Sequence, residues 1–296
     1  LAILAASAVG NAGASVISGG QPDAGYANLR AWYEASSGAL NSSGNAAVVG
    51  DTVATWVNQA TNGTHPNATA AGNPTLQQTT VGSGTANVIR FGSGNSFDAY
   101  LGSVSSPNWT LFTVVQQTGT ESCSSQKWVS FGESSDNTKL TWLGSGNSSP
   151  LEKESDVDCG VNEKDITEDS RSWTNAGSGY NVYAMKYETA SGVSTASLYV
   201  NGVSVATSSV DAIQGVTYTD MHLALSRRAW YTNGWLLGNM GEFMFYDSAL
   251  SDSDMSGVNS YLSTKFGLTT TPEPSSIVVL CTGLLGLLAY AWRKRR

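Results

Sequence analysis

The pair Asn201-Gly202 separates two short runs of alternating character, residues 197–200 and 203–206. Both residues of such a pair tolerate positive φ, so they suit a type I′ turn, whose twist matches that of two antiparallel strands. The same grammar of short apolar-polar runs between Gly, Asn and Ser turns recurs along the chain. It predicts strands at 29–33, 52–57, 88–91, 109–116, 128–132, 139–143, 181–187, 221–225 and 242–246. Roughly ten strands at this spacing point to two packed antiparallel sheets in one domain over 15–268. Charged residues make up only 13 % of the chain and glycine is abundant, which suits an exported β-protein better than a helical one. Trp32, Trp56, Trp109, Trp128 and Trp142 fall within strand patterns and are assigned to the core.

One helix is expected at the end of the domain. Ser251-Asp252-Ser253-Asp254 has the Ser-x-x-acid form of a capping box, with Asp in place of the usual Glu. Met255, Val258, Leu262 and Phe266 recur at helical spacing, and Gly267 is the expected C-cap. Tyr261 is expected to pack beside that apolar stripe.

Both ends of the chain carry export signals. At the front, residues 1–9 are small and apolar, and Ala12-Gly13-Ala14 before Ser15 is an A-x-A-like cleavage site. Residues 1–14 therefore read as a signal peptide entered partway. At the back, Pro272-Glu273-Pro274 forms a hinge in the linker 269–276, because proline continues neither helix nor sheet. The uncharged run 277–292 then predicts a short transmembrane helix, followed by Arg293-Lys294-Arg295-Arg296 as a basic stop. By the positive-inside rule that end stays in the cytoplasm and the folded domain lies outside. Sixteen helical residues span about 24 Å, against ~30 Å for a hydrocarbon core, so the helix is short for a permanent anchor. Together these three features resemble the PEP-CTERM sorting signal. The resemblance implies recognition by an exosortase-type protease near Pro272, Glu273 and Pro274, removal of the helix, and release to the cell surface or matrix.

The formal charge is −8, and the four terminal cations leave −12 on the rest of the chain. No basic stripe is available to displace counterions, which argues against a nucleic-acid partner. Cys281 falls in the apolar run. Cys123 and Cys159 lie in the exported part, where an oxidising compartment favours a structural disulfide; with no His nearby, metal binding is the weaker option.

A second resemblance covers the domain. Leu29-Arg30-Ala31-Trp32-Tyr33-Glu34-Ala35-Ser36 and Val53-Ala54-Thr55-Trp56-Val57-Asn58-Gln59 look like the opening of concanavalin A-like, laminin-G-like jelly rolls. Val88-Ile89-Arg90-Phe91, Leu198-Tyr199-Val200-Asn201-Gly202, Met240-Gly241-Glu242-Phe243-Met244-Phe245-Tyr246 and Tyr261-Leu262-Ser263-Thr264-Lys265-Phe266-Gly267-Leu268 continue it in order. The implied fold is all-β, a two-sheet antiparallel jelly-roll sandwich with one C-terminal helix. The acid after the first Trp, Asp in that family, is Glu34 here. The fold hosts lectins, glucanases and adhesive modules alike.

Glu154-Ser155-Asp156-Val157-Asp158 is the nearest approach to the E-x-D-x-(x)-E arrangement of jelly-roll glucanases. It ends in Asp, and it falls in an acidic stretch, 152–169, that reads as a solvated loop, so no enzyme is expected. The same loop offers Asp156, Asp158 and Asn162 as oxygen donors around Gly160 for calcium, against the plainer reading of charges facing water. No cofactor is otherwise indicated. Sugar binding has the better basis: Arg227, Arg228, Trp230, Tyr231 and Trp235 gather aromatic faces and cations in one loop, where pyranose rings could stack and anionic groups could pair. The alternative is that Trp230 and Trp235 cap the core. The expected function is an exported, non-enzymatic protein that binds or organises extracellular polysaccharide; the rivals are a glycan-cleaving enzyme of the same fold and a purely structural or adhesive surface protein.

Overall fold

The computed structural model describes residues 15–63, 65–104, 106, 108–119, 126–133, 136–145, 153–159, 164–165, 179–191, 193–210, 218–227, 229 and 234–268. Of these, 136–140, 142, 145, 153–159, 164–165, 206 and 208–210 are described by their backbone alone. The export signals at 1–14 and 269–296, with their expected membrane helix, lie outside the described residues, as do Cys123, Asn162, Arg228, Trp230 and Tyr231. Among the described residues no helix is long and apolar enough to cross a membrane.

The chain opens with a small ribbon of β1 (Ile17–Ser18) and β2 (Gln21–Pro22). There follow β3 (Leu29–Glu34), β4 (Ala39–Leu40), β5 (Thr55–Trp56), β6 (Ala68–Ala71), β7 (Thr75–Val81), β8 (Gly84–Phe91) and β9 (Ser96–Val104). The middle of the chain forms β10 (Trp109–Gln117), β11 (Gln126–Glu133), β12 (Asp136–Ser145), β13 (Lys153–Cys159) and β14 (Lys164–Asp165). Last come β15 (Asn181–Ala190), β16 (Val193–Val200), β17 (Val203–Val210), β18 (Tyr218–Leu225), β19 (Gly238–Tyr246) and the helix α1 (Asp252–Lys265).

Two large antiparallel sheets result. One has the order β17-β16-β15-β10-β19-β8-β7, with β3 also paired to β19; the other has the order β14-β13-β12-β11-β18-β9-β6-β5-β4. Along β19, one edge pairs with β10 throughout, while the other is shared. Gly238 to Met240 pair with β8, and Glu242 to Tyr246 pair with β3. An all-β sandwich with one C-terminal helix is what the strand grammar predicts.

Alternation along these strands feeds two separate cores. Phe243 and Phe245 of β19 face the second sheet and join Trp56, Phe97, Trp109, Trp128 and Phe131 in the core between the sheets. Met244 and Tyr246 face the other way, where they pack with Leu29, Trp32, Phe112 and the apolar stripe of α1, Met255, Val258, Leu262 and Phe266. The first sheet is thus covered on both faces, which is why Met240 to Tyr246 is buried at every position and reads as a nearly continuous apolar run. Trp32 is buried as expected, but in the core beneath the helix and not between the sheets.

The turn prediction holds in detail. Asn201 and Gly202 have φ of 50° and 82°, and Val200 pairs with Val203 across them. Ser251 caps α1, its side chain accepting from the Asp254 amide. At the other end the C-cap is Phe266, one residue before the expected Gly267. Gly267 has φ of 59°, so that it donates to the Thr264 carbonyl and Leu268 to that of Ser263. This is a Schellman ending, in which glycine supplies the left-handed residue at no steric cost.

Two expectations need correction. The strand foreseen at 52–57 shrinks to Thr55–Trp56, because its neighbours bond to unrelated segments: Val53 donates to the Pro74 carbonyl and Val57 to that of Gly38. The acidic stretch 152–169 is not simply a loop. Lys153–Cys159 pairs with β12, and Lys164–Asp165 pairs back onto it as the sheet edge. Acids alternating with Ser155 and Val157 already carry the strand period of two, and charge at the edge of a sheet discourages pairing with another chain.

Candidate functional site

The face of the nine-stranded sheet turned away from the core carries a polar and aromatic cluster. On β9, Phe97, Ala99 and Leu101 point into the core between the sheets, so Asp98 and Tyr100 project from the opposite face. On β18, Met221, Leu223 and Leu225 point inward and His222 outward. Register then brings the groups together. Tyr100 lies directly opposite His222 with the two rings stacked, centroids 4.6 Å apart and planes at 8°. His222 itself lies opposite Gly132 of β11, where no side chain competes for space.

Asp98 is the charge centre of this cluster. Its Oδ1 is 3.1 Å from His222 Nε2 and accepts from the Arg227 guanidinium at 2.5 Å. Arg227 Nε donates at 3.1 Å to Ser96, one turn of the pleat away. Burial pushes the Asp98 carboxyl up, but hydrogen bonds from His222 and Arg227 and the guanidinium charge outweigh it and hold it below its ordinary value. An ionised carboxylate has about four acceptor positions, so this one retains capacity for a ligand hydroxyl beside its two protein partners. Tyr100 is 54 % exposed, with one ring face on His222.

Arg227 reaches Asp98 because its loop is pinned at the base. Ser226, with φ of 76°, donates its amide to the Trp128 carbonyl and accepts from the Leu236 amide, closing the neck of the loop. Ser130 of β11 then donates to the Arg227 carbonyl at 2.7 Å and accepts from the Ala229 amide at 2.6 Å. Arg227 is therefore held over the same face as Tyr100. Of the predicted loop residues, Arg227 folds back into the ion pair with Asp98, and Trp235 is half-buried near the neck. Arg228, Trp230 and Tyr231 lie outside the described residues.

Glu154, Asp156, Asp158 and Cys159 lie in β13. Asp156 pairs with Trp142, which pairs with Ser130; Asp158 pairs with Leu140, and Glu154 with Gly144. Ser130 in turn pairs with Ala224 and Ala224 with Asp98, so Asp156 and Asp98 belong to one row of backbone pairings across five strands. Asp156 and Asp158 are thus on a strand, and their calcium partner Asn162 lies outside the described residues. Among the described residues no group of three or more His, Cys, Asp or Glu is placed to hold a metal ion. Of the expected Cys123–Cys159 disulfide, only the Cys159 backbone, at the end of β13, is described.

Asp98, Tyr100 and His222 were not foreseen from the sequence. The signal was present: Ser96-Phe97-Asp98-Ala99-Tyr100-Leu101 alternates strictly, and strict alternation means a strand with one wet face.

No curated protein matches the chain. Among solved structures it is similar to a GH54 α-L-arabinofuranosidase soaked with a cyclic sulfate inhibitor, at 11 % identity and a TM-score of 0.53 over 80 % of this chain and 63 % of that one. It is also similar to the Trypanosoma rangeli sialidase in complex with 2,3-difluorosialic acid, at 12 % identity and a TM-score of 0.52 over 84 % of this chain and 35 % of that one. Domain 4 of AbnA, a GH43 extracellular arabinanase from Geobacillus stearothermophilus bound to arabinotriose, matches at 16 % identity and a TM-score of 0.47, covering 78 % of this chain and 98 % of that one. The chain spans about a third of the sialidase and under two thirds of the arabinofuranosidase, and at these identities the likeness concerns the fold. At the C-terminus, residues 270–296 match the PEP-CTERM protein-sorting motif. Behind its all-β sandwich the chain thus carries a PEP-CTERM sorting motif, which implies an exported, exosortase-sorted protein.

Proposed function

We propose that the domain is a jelly-roll lectin of the cell surface or matrix, which binds extracellular polysaccharide on the outer face of its nine-stranded sheet and does no chemistry on it. The observation that carries this reading is the exposed Tyr100 ring, backed by His222 and flanked by the Asp98–Arg227 pair. An aromatic face takes the C–H side of a pyranose, and the fixed carboxylate and guanidinium beside it orient hydroxyl or acidic substituents. The sorting motif supports the location, since an exosortase substrate meets polysaccharide outside the cell. Binding is tested on a glycan array that includes acidic exopolysaccharides, with Tyr100→Ala as control. Retention that disappears in the variant is the expected result, and no retention of the parent on any glycan overturns the reading.

A second reading, glycan cleavage, is favoured by one observation: Glu154, Asp156 and Asp158 lie on a strand, the setting that glucanase carboxylates require. Reducing ends released by the parent domain and abolished by Glu154→Gln would establish it. Calcium at Asp156 and Asp158 is a further proposal, tested by titration calorimetry before and after EDTA.

A further inference from the structure

The most heavily buried charge among the described residues is remote from that face. Glu242 of β19, with no solvent exposure, lies under α1 on the other face of the first sheet. It accepts hydrogen bonds from Trp32 Nε1 at 2.6 Å, the Tyr261 hydroxyl at 3.1 Å and Lys265 Nζ at 2.7 Å. Lys265 also sits 2.7 Å from Glu34 Oε1 and donates to the Tyr261 hydroxyl at 2.9 Å. Glu34 and Glu242 are partners in the β3–β19 register, so two carboxylates share one ammonium.

We propose that Glu242, Glu34 and Lys265 form a proton-controlled latch, which holds the C-terminal helix on the sheet and lengthens the tether to the sorting motif when it opens. The groups facing Glu242 are Glu34 and Trp32 from β3, Tyr261 and Lys265 from α1, and Tyr246 from its own strand. With one carboxyl protonated the three charged groups are neutral as a set. With both ionised, a net negative charge is enclosed beneath the helix. Burial pushes Glu242 up to about 7, against the pull of Lys265, while Lys265 and Ser36 outweigh burial and hold Glu34 low. A docked helix therefore keeps a proton on Glu242 that the undocked sheet releases near the ordinary value of 4.5. Docking is strongest in mild acid and weakens as pH rises toward 7, by up to about tenfold per unit.

The position of α1 gives the latch its consequence. Phe266 is buried, Ser83 donates its amide to the Gly267 carbonyl, and the sorting motif starts at residue 270. From Leu268 to Pro272 the chain reaches about 14 Å; releasing 251–268 as well would add roughly 60 Å. The latch thus sets how far the domain can stand from the membrane while the precursor is still attached.

The test is amide exchange of α1 in the full chain between pH 5 and pH 8, corrected for intrinsic rates, with the strands β10 and β19 as internal reference. Protection of α1 is expected to fall by up to about seventyfold across that range while the strands hold. Glu242→Gln, a neutral isostere, is expected to flatten the profile, and Glu34→Gln to move it to lower pH by leaving Lys265 to Glu242 alone. A flat profile in the parent, a fall shared equally by helix and strands, or an unchanged profile in both variants overturns the latch.

Discussion

Glu34 and Glu242 face each other across the β3–β19 pairing, and the ammonium of Lys265 lies 2.7 Å from an oxygen of each. Like charges directly opposite on neighbouring strands destabilise a sheet unless a cation joins them. The helix supplies that cation, so its docking and the pairing of the two strands depend on each other. Lys265→Met should destabilise the domain by about 3–5 kcal/mol in urea unfolding at pH 7, because it leaves two carboxylates side by side without the cation they share. Added to Glu242→Gln, the same change should cost clearly less than the sum of the single effects.

The Asp98 pair behaves oppositely with pH. Asp98 is held below its ordinary value in the folded domain, so its contribution is complete above about 3.8, the unfolded value, and is lost as pH falls through the folded one. Asp98→Asn should therefore reduce stability at pH 7 and leave it little changed at pH 2, a contrast visible in thermal unfolding at the two pH values.

Tyr100 separates binding from folding. Its side chain is more than half exposed and its ring stacks on His222. Tyr100→Ala should shift unfolding by about 0.5 kcal/mol or less while abolishing retention on glycan.

Phe131 is the opposite case. It is fully buried and edge-on to Trp109 at 5.0 Å and Phe245 at 5.3 Å, tying the two sheets together. Phe131→Ala should cost about 3–5 kcal/mol in urea unfolding.

Gly82, in the turn between β7 and β8, touches the end of α1. Its φ is 54°, and a Cβ there would lie 1.9 Å from the Gly267 carbonyl oxygen. Gly82→Ala should lower stability by about 1–3 kcal/mol and loosen α1 in amide exchange. Gly84→Ala, where a Cβ meets nothing within 4 Å, is the control and should leave exchange of α1 unchanged.

Much of this was legible in the residues themselves. Asn201-Gly202 announced its turn, Ser251 and Gly267 the ends of the helix, and residues 242–246 a strand, because each is a local relation carried by neighbours in sequence. The strand β7, its turn into β8 and the strand β9 went unseen, although residues 88–91 of β8 were read as a strand. Thr75–Val81 is largely polar as a strand near a sheet edge can be, and Gly82-Ser83 is a weaker turn signal than Asn-Gly.

The sequence by itself determined the class of fold, the helix and its N-cap, and the sorting motif at 270–296, since period, turn chemistry and motif are all written along the chain. Only the tertiary structure decided which charges meet. Asp98 and Arg227 are 129 residues apart and Trp32 and Glu242 are 210, and their encounters depend on strand order and register. Arg227, foreseen as a cation for an anionic sugar, proved to be paired with Asp98, and Lys265, unremarked in the chain, proved to join two carboxylates. Electrostatic partners are chosen by distance in space, and no local pattern of residues encodes that distance.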